Sequence, residues 1–170
     1  MSILKLTNTH LVALVDSEDY NRVSSRSWRL TVNHTGNLYV VSDVRHTDHI
    51  EKILLHREIL RTYDDSMVDH VDGNGLDNRK YNLRVATNQQ NVANSHKWRK
   101  QTSSRYKGVF WDHSRGLWRA GIMFNRKKIY LGRYLREEEA AQAYDNRAVD
   151  LFGEFARLNF PRARTVFDVG

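Results

Sequence analysis

The chain is expected to fold as an α+β protein in three parts. These are a β-rich N-terminal part, a central ββα unit, and a C-terminal three-stranded antiparallel sheet packed on one helix. Three observations predict this. Residues 1–62 alternate short apolar or β-branched runs with turn residues. Around Met67–Asn94 a short apolar run, a Gly/Asn/Asp-rich loop, a second short run and a helix start follow one another. Beyond Tyr106, three β-like runs precede a stretch whose apolar residues recur every fourth position.

Taken in order, Leu11–Val15 is a short apolar strand. Asp16–Tyr20 resembles a helix start, with acidic residues at its positive end. Trp28–Val32 and Leu38–Val44 flank Asn-His-Thr-Gly-Asn, a hairpin signal. Ile53–Leu60 is apolar with a helical tendency. His96–Arg105 is basic and lacks apolar periodicity; a linker following the groove of a nucleic acid and a solvated helix end both remain open. Tyr106–Asp112, Leu117–Phe124 and Lys127–Arg133 read as strands joined at His113–Gly116 and at Asn125-Arg126. Ala140, Tyr144, Ala148 and Phe152 then form a helical apolar stripe, with Glu137–Glu139 at its start and Gly153 at its end.

The 170 residues carry 27 Lys+Arg against 20 Asp+Glu, a net charge of +7. The excess is uneven: residues 1–66 have net charge −1, residues 67–103 +3, and residues 104–170 +5. A basic C-terminal two-thirds points to a polyanionic partner. With no cysteine, disulfides and Cys-based zinc sites are excluded. No stretch approaches the ~20 apolar residues of a membrane span, and no signal-peptide core is evident at the N-terminus.

The central segment reads Val-Asp-His-Val-Asp-Gly-Asn at Val68–Asn74, Asp-Asn-Arg at Asp77–Arg79, Asn-Leu-Arg at Asn82–Arg84, Ala-Thr at Ala86-Thr87, and Gln-Asn at Gln90-Asn91. A neutral imidazole near pKa ~6.5 suits a general base, which makes His70 the candidate. Asp69 and Asn91 both offer oxygen, a donor set for Mg2+ or Mn2+ over zinc. Neighbours on a regular strand point to opposite faces, so Asp69 and His70 can share a site only if the strand twists or ends there. This pattern resembles the HNH endonucleases of the phage and intron homing type. The resemblance implies a ββα-metal nuclease module and hydrolysis of phosphodiester bonds to 5′-phosphate and 3′-hydroxyl ends. It also implies that Asn82 binds loop backbone and orients His70. Asn91 stands where many relatives carry His, a departure common in the homing branch. His56 recurs in the family layout, and its role is not derivable from the sequence.

Residues 103–160 resemble the ethylene-response-factor (Apetala-type) DNA-binding domain. The resemblance rests on Ser103–Val109, Trp118–Ala120, Tyr130–Tyr134, Glu138–Asp145 and Gly153–Phe160. Strand alternation separately predicts one apolar face of Val109, Trp111, Ala120, Ile122, Phe124, Ile129 and Leu131, packed against Ala140, Tyr144 and Ala148. The other face holds Phe110, Asp112, Arg119, Gly121, Met123, Lys128 and Tyr130, and a cationic, aromatic sheet face can lie in a major groove about 12 Å wide. Phe110, Asp112 and Met123 stand where the plant family carries arginines, which predicts more phosphate and apolar contact than guanine readout.

The expected organisation is a β-rich region at 1–52 that also touches DNA, the nuclease module at 53–97, a basic linker at 98–102, the reader at 103–160 and a tail at 161–170. The expected function is a site-specific endonuclease of duplex DNA, from a phage or an intron, that acts as a monomer in the cytoplasm of an infected or bacterial cell. Nicking and double-strand cleavage both stay open. Residues expected to contact DNA are Arg84, Lys97, Arg99, Lys107, Phe110, Arg115, Arg119, Met123, Lys128 and Tyr130. No membrane and no small-molecule substrate is expected. The alternative is a non-catalytic DNA-binding regulator with a degenerate nuclease fold.

Overall fold

A computed structural model describes residues 1–96 and 103–161. The backbone separates into two units, Met1–Asn91 and Val92–Gly170. The architecture is the expected α+β mixture of small sheets and few helices.

In the first unit, β1 (Ser2–Lys5) pairs antiparallel with β2 (Val12–Val15). Helix α1 (Ser17–Val23) follows, with Glu18 and Asp19 in its first turn. Then β3 (Arg29–Val32), β4 (Leu38–Arg45) and β5 (Ile50–Leu54) form a sheet in the order β3-β4-β5. Helix α2 (Leu55–Leu60) leads to β6 (Met67–His70), which pairs with β7 (Leu83–Ala86) before α3 (Asn88–Asn94), whose residues from Val92 on belong to the second unit. The helical tendency over Ile53–Leu60 is realised only from Leu55: Ile53 and Leu54 pair with Ser42 and Val41 as the end of β5. Thr87 and Gln90 close the start of α3 reciprocally. The Thr87 N–H donates to Gln90 Oε1 at 2.8 Å, and the Gln90 N–H donates to Thr87 Oγ1 at 3.2 Å.

One apolar cluster runs through this unit. Leu4, Ala13, Val15, Val23, Trp28 and Val40 pack with Leu55, Ile59, Val68 and Leu83. The N-terminal strands and the β6–β7 pair therefore share a core. Trp28 is fully enclosed, and its Nε1 donates to the Val23 carbonyl at 2.7 Å, so the indole is buried without an unmet donor.

In the second unit, β8 (Val109–Asp112), β9 (Leu117–Phe124) and β10 (Lys127–Tyr134) form an antiparallel sheet in the order β10-β9-β8, backed by α4 (Glu137–Phe152). β8 starts later than the apolar run suggests, because Gly108 lies at φ 75° against Tyr144. A Cβ there would come within 1.9 Å of the Tyr144 ring. Val109, Ala120, Ala140 and Ala141 form one buried cluster, and Ile122, Tyr144 and Ala148 another. This is the expected inner face.

Two side chains, Arg133 and Tyr134, depart from simple alternation. The β9–β10 register shifts between Tyr130 and Gly132, so Arg133 pairs with Arg119 and Tyr134 with Trp118. The extra residue, Leu131, packs into the core. The bulge thereby turns Arg133 onto the outer face. Buried Asp145 on α4 holds the chain after the helix: Oδ1 accepts from the Asn159 backbone N–H at 2.8 Å and from Asn159 Nδ2 at 3.0 Å, and Oδ2 accepts from the Phe160 N–H at 2.8 Å.

Candidate functional site

The loop between β6 and β7 is built by short side chains acting on backbone. The Asn74 N–H donates to Asp72 Oδ1 at 2.7 Å, the Leu76 N–H to Asn74 Oδ1 at 3.1 Å, and the Gly73 N–H to the His70 carbonyl at 2.9 Å. The first two are turn-forming contacts of Asx type, and the third is a backbone turn bond. Asn82 spans the loop from inside. Its Oδ1 accepts from the Asp72 N–H at 3.1 Å, and its Nδ2 donates to Asp72 Oδ1 and to the Asp77 carbonyl, each at 2.9 Å.

The N-terminal strands hold this loop from the other side. The Leu14 N–H donates to the Leu76 carbonyl and the Asn78 N–H to the Leu14 carbonyl, both at 2.8 Å. Gly75 sits so close to β4 that a Cβ would lie 1.8 Å from the Leu38 carbonyl oxygen. Asp77 is fixed by Arg79, whose Nη2 reaches its Oδ2 at 2.6 Å, and by the Tyr81 hydroxyl at 2.9 Å. The two arms hold the Asp77 carboxyl below the usual carboxylate range, Arg79 first.

His70 closes β6, and its side chain is buried together with that of Asn78. His70 Nε2 lies 3.2 Å from Asn78 Oδ1. Asn78 was not among the residues singled out in the sequence. His56, on α2, meets His70 edge to face with ring centroids 5.2 Å apart, and Tyr39 stands 5.8 Å from His56 on its own side. His56 Nδ1 is buried without a hydrogen-bond partner. Burial, then the neighbouring His70 and Arg57, push the His56 imidazole down to about 3. Burial also lowers His70, against the opposing pull of Asn78 and of the Asp72, Asp69 and Asp77 carboxylates. Both rings are neutral near pH 7, which leaves His70 able to accept a proton.

Asp69 precedes His70 on β6 and pairs with Arg84 on β7. Arg84 Nη2 and Nε lie 3.0 and 3.1 Å from Asp69 Oδ2. Arg84, expected from the sequence to contact DNA, is turned to this carboxylate, and only 13% of its side chain is exposed. Asn91 lies on α3, and its N–H closes the first helical turn on the Thr87 carbonyl at 2.9 Å. Among the described residues, no group of three or more His, Cys, Asp or Glu side chains is placed to hold a metal ion. A set of one carboxylate and amide oxygen suits a hard divalent cation that keeps much of its water. The donor chemistry of Asp69 and Asn91 fits such an ion.

On the outer face of the β8–β10 sheet, cations lie over rings. Arg119 stands 4.9 Å from the Phe110 centroid and 5.9 Å from that of Tyr130, and Lys128 stands 4.4 Å from Phe110. Arg133 sits 5.4 Å from the Tyr130 ring, while its Nε donates to Asp112 Oδ2 at 2.9 Å. Met123 and Tyr130 are exposed beside them, and Arg115 is exposed in the β8–β9 turn. Arg133 was missed in the sequence because the bulge reverses its phase.

Lys107, expected from the sequence to contact DNA, is turned to backbone carbonyls. Its Nζ donates to the carbonyls of Ala93 at 2.6 Å, Ser95 at 2.7 Å and Val92 at 3.2 Å, all within the second unit. All three ammonium donors are committed to these carbonyls. Burial, then Arg157, push the ammonium down to about 8. Lys97, Arg99 and the linker at 98–102 lie outside the described residues.

Comparison with known proteins identifies two types of segment in this chain. Residues 61–93 match the family model described as HNH endonuclease. The C-terminal part is similar to plant transcription factors of the AP2 and ethylene-responsive type. Both resemblances read from the sequence are borne out. Among the relatives, an uncharacterized HNH endonuclease of Acanthamoeba polyphaga mimivirus is 40% identical over 114 residues, covering 64% of this chain and 58% of that protein. An ethylene-responsive transcription factor of Arabidopsis thaliana is 46% identical over 59 residues, covering 34% of this chain and 14% of that protein. An AP2-like ethylene-responsive transcription factor of the same plant is 44% identical over 63 residues, covering 36% of this chain and 18% of that protein. The chain thus spans a little over half of the viral relative and less than a fifth of each plant protein.

Proposed function

We propose that this chain is a metal-dependent endonuclease of duplex DNA, with His70 as general base and a separate sheet face that reads the duplex. The observation that carries the reading is the buried His70 next to Asp69, at the end of a strand inside the segment that matches the HNH endonuclease model. His70 takes a proton from water, whose oxygen attacks phosphorus as the bond to the 3′-oxygen breaks. Asp69 and Asn91 would hold Mg2+ or Mn2+, and the ion would stabilise charge on phosphoryl and leaving oxygens. Asn82 keeps the loop closed and His70 in place. Phe110, Arg119, Met123, Lys128 and Tyr130 lie against the duplex, joined by Arg133, and Arg115 reaches a phosphate at the sheet edge. The setting that fits is a phage or intron homing enzyme working in the cytoplasm as a monomer. One active site then gives one nick per encounter.

Supercoiled-plasmid cleavage with Mg2+, with chelator, and with His70→Ala tests this. Cleavage should vanish with chelator and fall by ~10²–10⁴-fold in the variant, while DNA affinity is unchanged. Full cleavage in chelator, or by His70→Ala, removes the proposal. Binding without cleavage under every metal condition would favour the non-catalytic regulator.

A further inference from the structure

Resting on the reading of His70 as base, we propose that Asn78 is a positioning residue that selects the tautomer of His70, keeping the proton on Nε2 and the lone pair on Nδ1. A neutral histidine carries one ring proton, and only the bare nitrogen can accept another. Which nitrogen is bare is set by what the other one meets. At His70 the partner of Nε2 is Asn78 Oδ1 at 3.2 Å.

The Asn78 amide cannot turn over without loss. Its Nδ2 donates to the Gly75 carbonyl at 3.2 Å. A flipped amide would set its oxygen against that carbonyl and its NH2 against Nε2. The residue is 1% exposed, so water does not compete for either end. Its backbone is fixed as well, because the Asn78 N–H donates to the Leu14 carbonyl at 2.8 Å. An oxygen held this way is a pure acceptor, so Nε2 must be the donor. His56 packs edge to face against the His70 ring, with centroids 5.2 Å apart.

The chemistry balances on this assignment. The O–H bond of water breaks, and its proton goes to Nδ1. The oxygen bonds phosphorus, and the bond to the 3′-oxygen breaks with its electron pair on that oxygen, which takes a proton from solvent. The resulting imidazolium keeps Nε2–H on Asn78 Oδ1. The arrangement does with a neutral amide what a buried carboxylate does for the histidine of serine proteases, where loss of the correct tautomer costs ~10⁴-fold.

The experiment uses the full chain labelled with 15N-histidine, metal-free, at pH 8, with long-range 1H–15N correlation and His70 assigned by comparison with His70→Gln. Wild type should show the Nε2–H pattern at His70. Asn78→Leu should move it to a mixture or to Nδ1–H, and Asn78→Asp, which keeps the acceptor, should restore Nε2–H. In cleavage assays Asn78→Leu should lower kcat by ~10²-fold with KM within about twofold, and Asn78→Asp should recover most of the loss. An Nδ1–H tautomer in wild type overturns the proposal, even if Asn78→Leu does not fold. So does an Nε2–H pattern unchanged in Asn78→Leu. A shifted tautomer with undiminished cleavage supports the role of Asn78 in setting the tautomer and instead overturns His70 as the base.

Discussion

Arg84 and Asp69 face each other across the β6–β7 pair, with Nη2 3.0 Å from Oδ2 and both side chains largely buried. This carboxylate is also the one anionic oxygen donor in the proposed cation site. A divalent ion must therefore share Asp69 with Arg84 or displace it. The guanidinium satisfies the charge of Asp69 in the metal-free protein, and a displaced guanidinium could turn to a phosphate. Arg84 would then meet DNA only in the metal-loaded state.

Arg84→Gln tests this arrangement. Removing one partner of a buried pair costs on the order of 3 kcal/mol, since the carboxylate loses its guanidinium. A bound cation should repair that defect. Thermal unfolding with and without MnCl2 should show a lower metal-free Tm for the variant and a larger metal-induced rise than in wild type. Equal rises in the two proteins would mean that the cation does not use Asp69.

His56→Phe tests the buried imidazole pair through pH. Folded His56 is held down to about 3, well below its ordinary 6.5. Between those values the unfolded chain binds a proton that the folded chain refuses. Stability is therefore lost as pH falls below ~6.5, by at most ~1.4 kcal/mol per pH unit, and His56 has no effect above that range. Phenylalanine keeps a ring against His70 and Tyr39 and removes both the titration and the unpartnered Nδ1. The fall in Tm from pH 7.5 to pH 5 should be shallower in the variant. His70, lowered in the same direction, remains in both proteins, so the difference isolates His56. Parallel Tm curves would show that His56 is solvated enough to ionise in place.

Much of this was readable from the chain, for a definite reason. Val109, Ala120, Ile122 and Ala140 show the inner face of the second unit because burial leaves an alternating apolar pattern. His70, Asn82 and Asn91 stand out because their spacing recurs in a family. What stayed hidden depends on contacts distant in sequence or on backbone irregularity. Asn78 is bonded through its backbone to Leu14, on a strand far upstream. Arg133 reads as inward until the Tyr130/Gly132 register shift reverses it. Lys107 looks like a surface cation, but the carbonyls of Val92, Ala93 and Ser95 draw it in. Arg84 looks like a phosphate contact because nothing local shows that Asp69 lies opposite it.

Asn82→Ala should loosen the loop without touching the cation site. The substitution removes three hydrogen bonds and leaves the Asp72 N–H and the Asp77 carbonyl without their Asn82 partner. A cost of about 2 kcal/mol follows if neither regains one. Amide exchange should quicken at Gly73–Asp77. Cleavage should slow while the Mg2+ concentration for half activity holds constant. A shift in the metal requirement would place Asn82 in the cation site instead of the loop.

Lys128→Ala and Lys107→Ala should behave oppositely, although both remove one cation from the second unit. Lys128 is exposed on the sheet face over Phe110, free to meet a phosphate. Its loss should weaken DNA binding and flatten log K against log salt by about 0.9, the share of one phosphate contact. Lys107 holds the carbonyls of Val92, Ala93 and Ser95. Its loss leaves three acceptors without their ammonium donor, so Tm should fall while the salt slope stays as in wild type. Competition binding at several salt concentrations, paired with thermal unfolding, separates the two. If Lys107→Ala alone flattens the slope, Lys107 reaches DNA and the carbonyl clamp opens on binding. If neither variant changes it, the duplex does not lie on this sheet face.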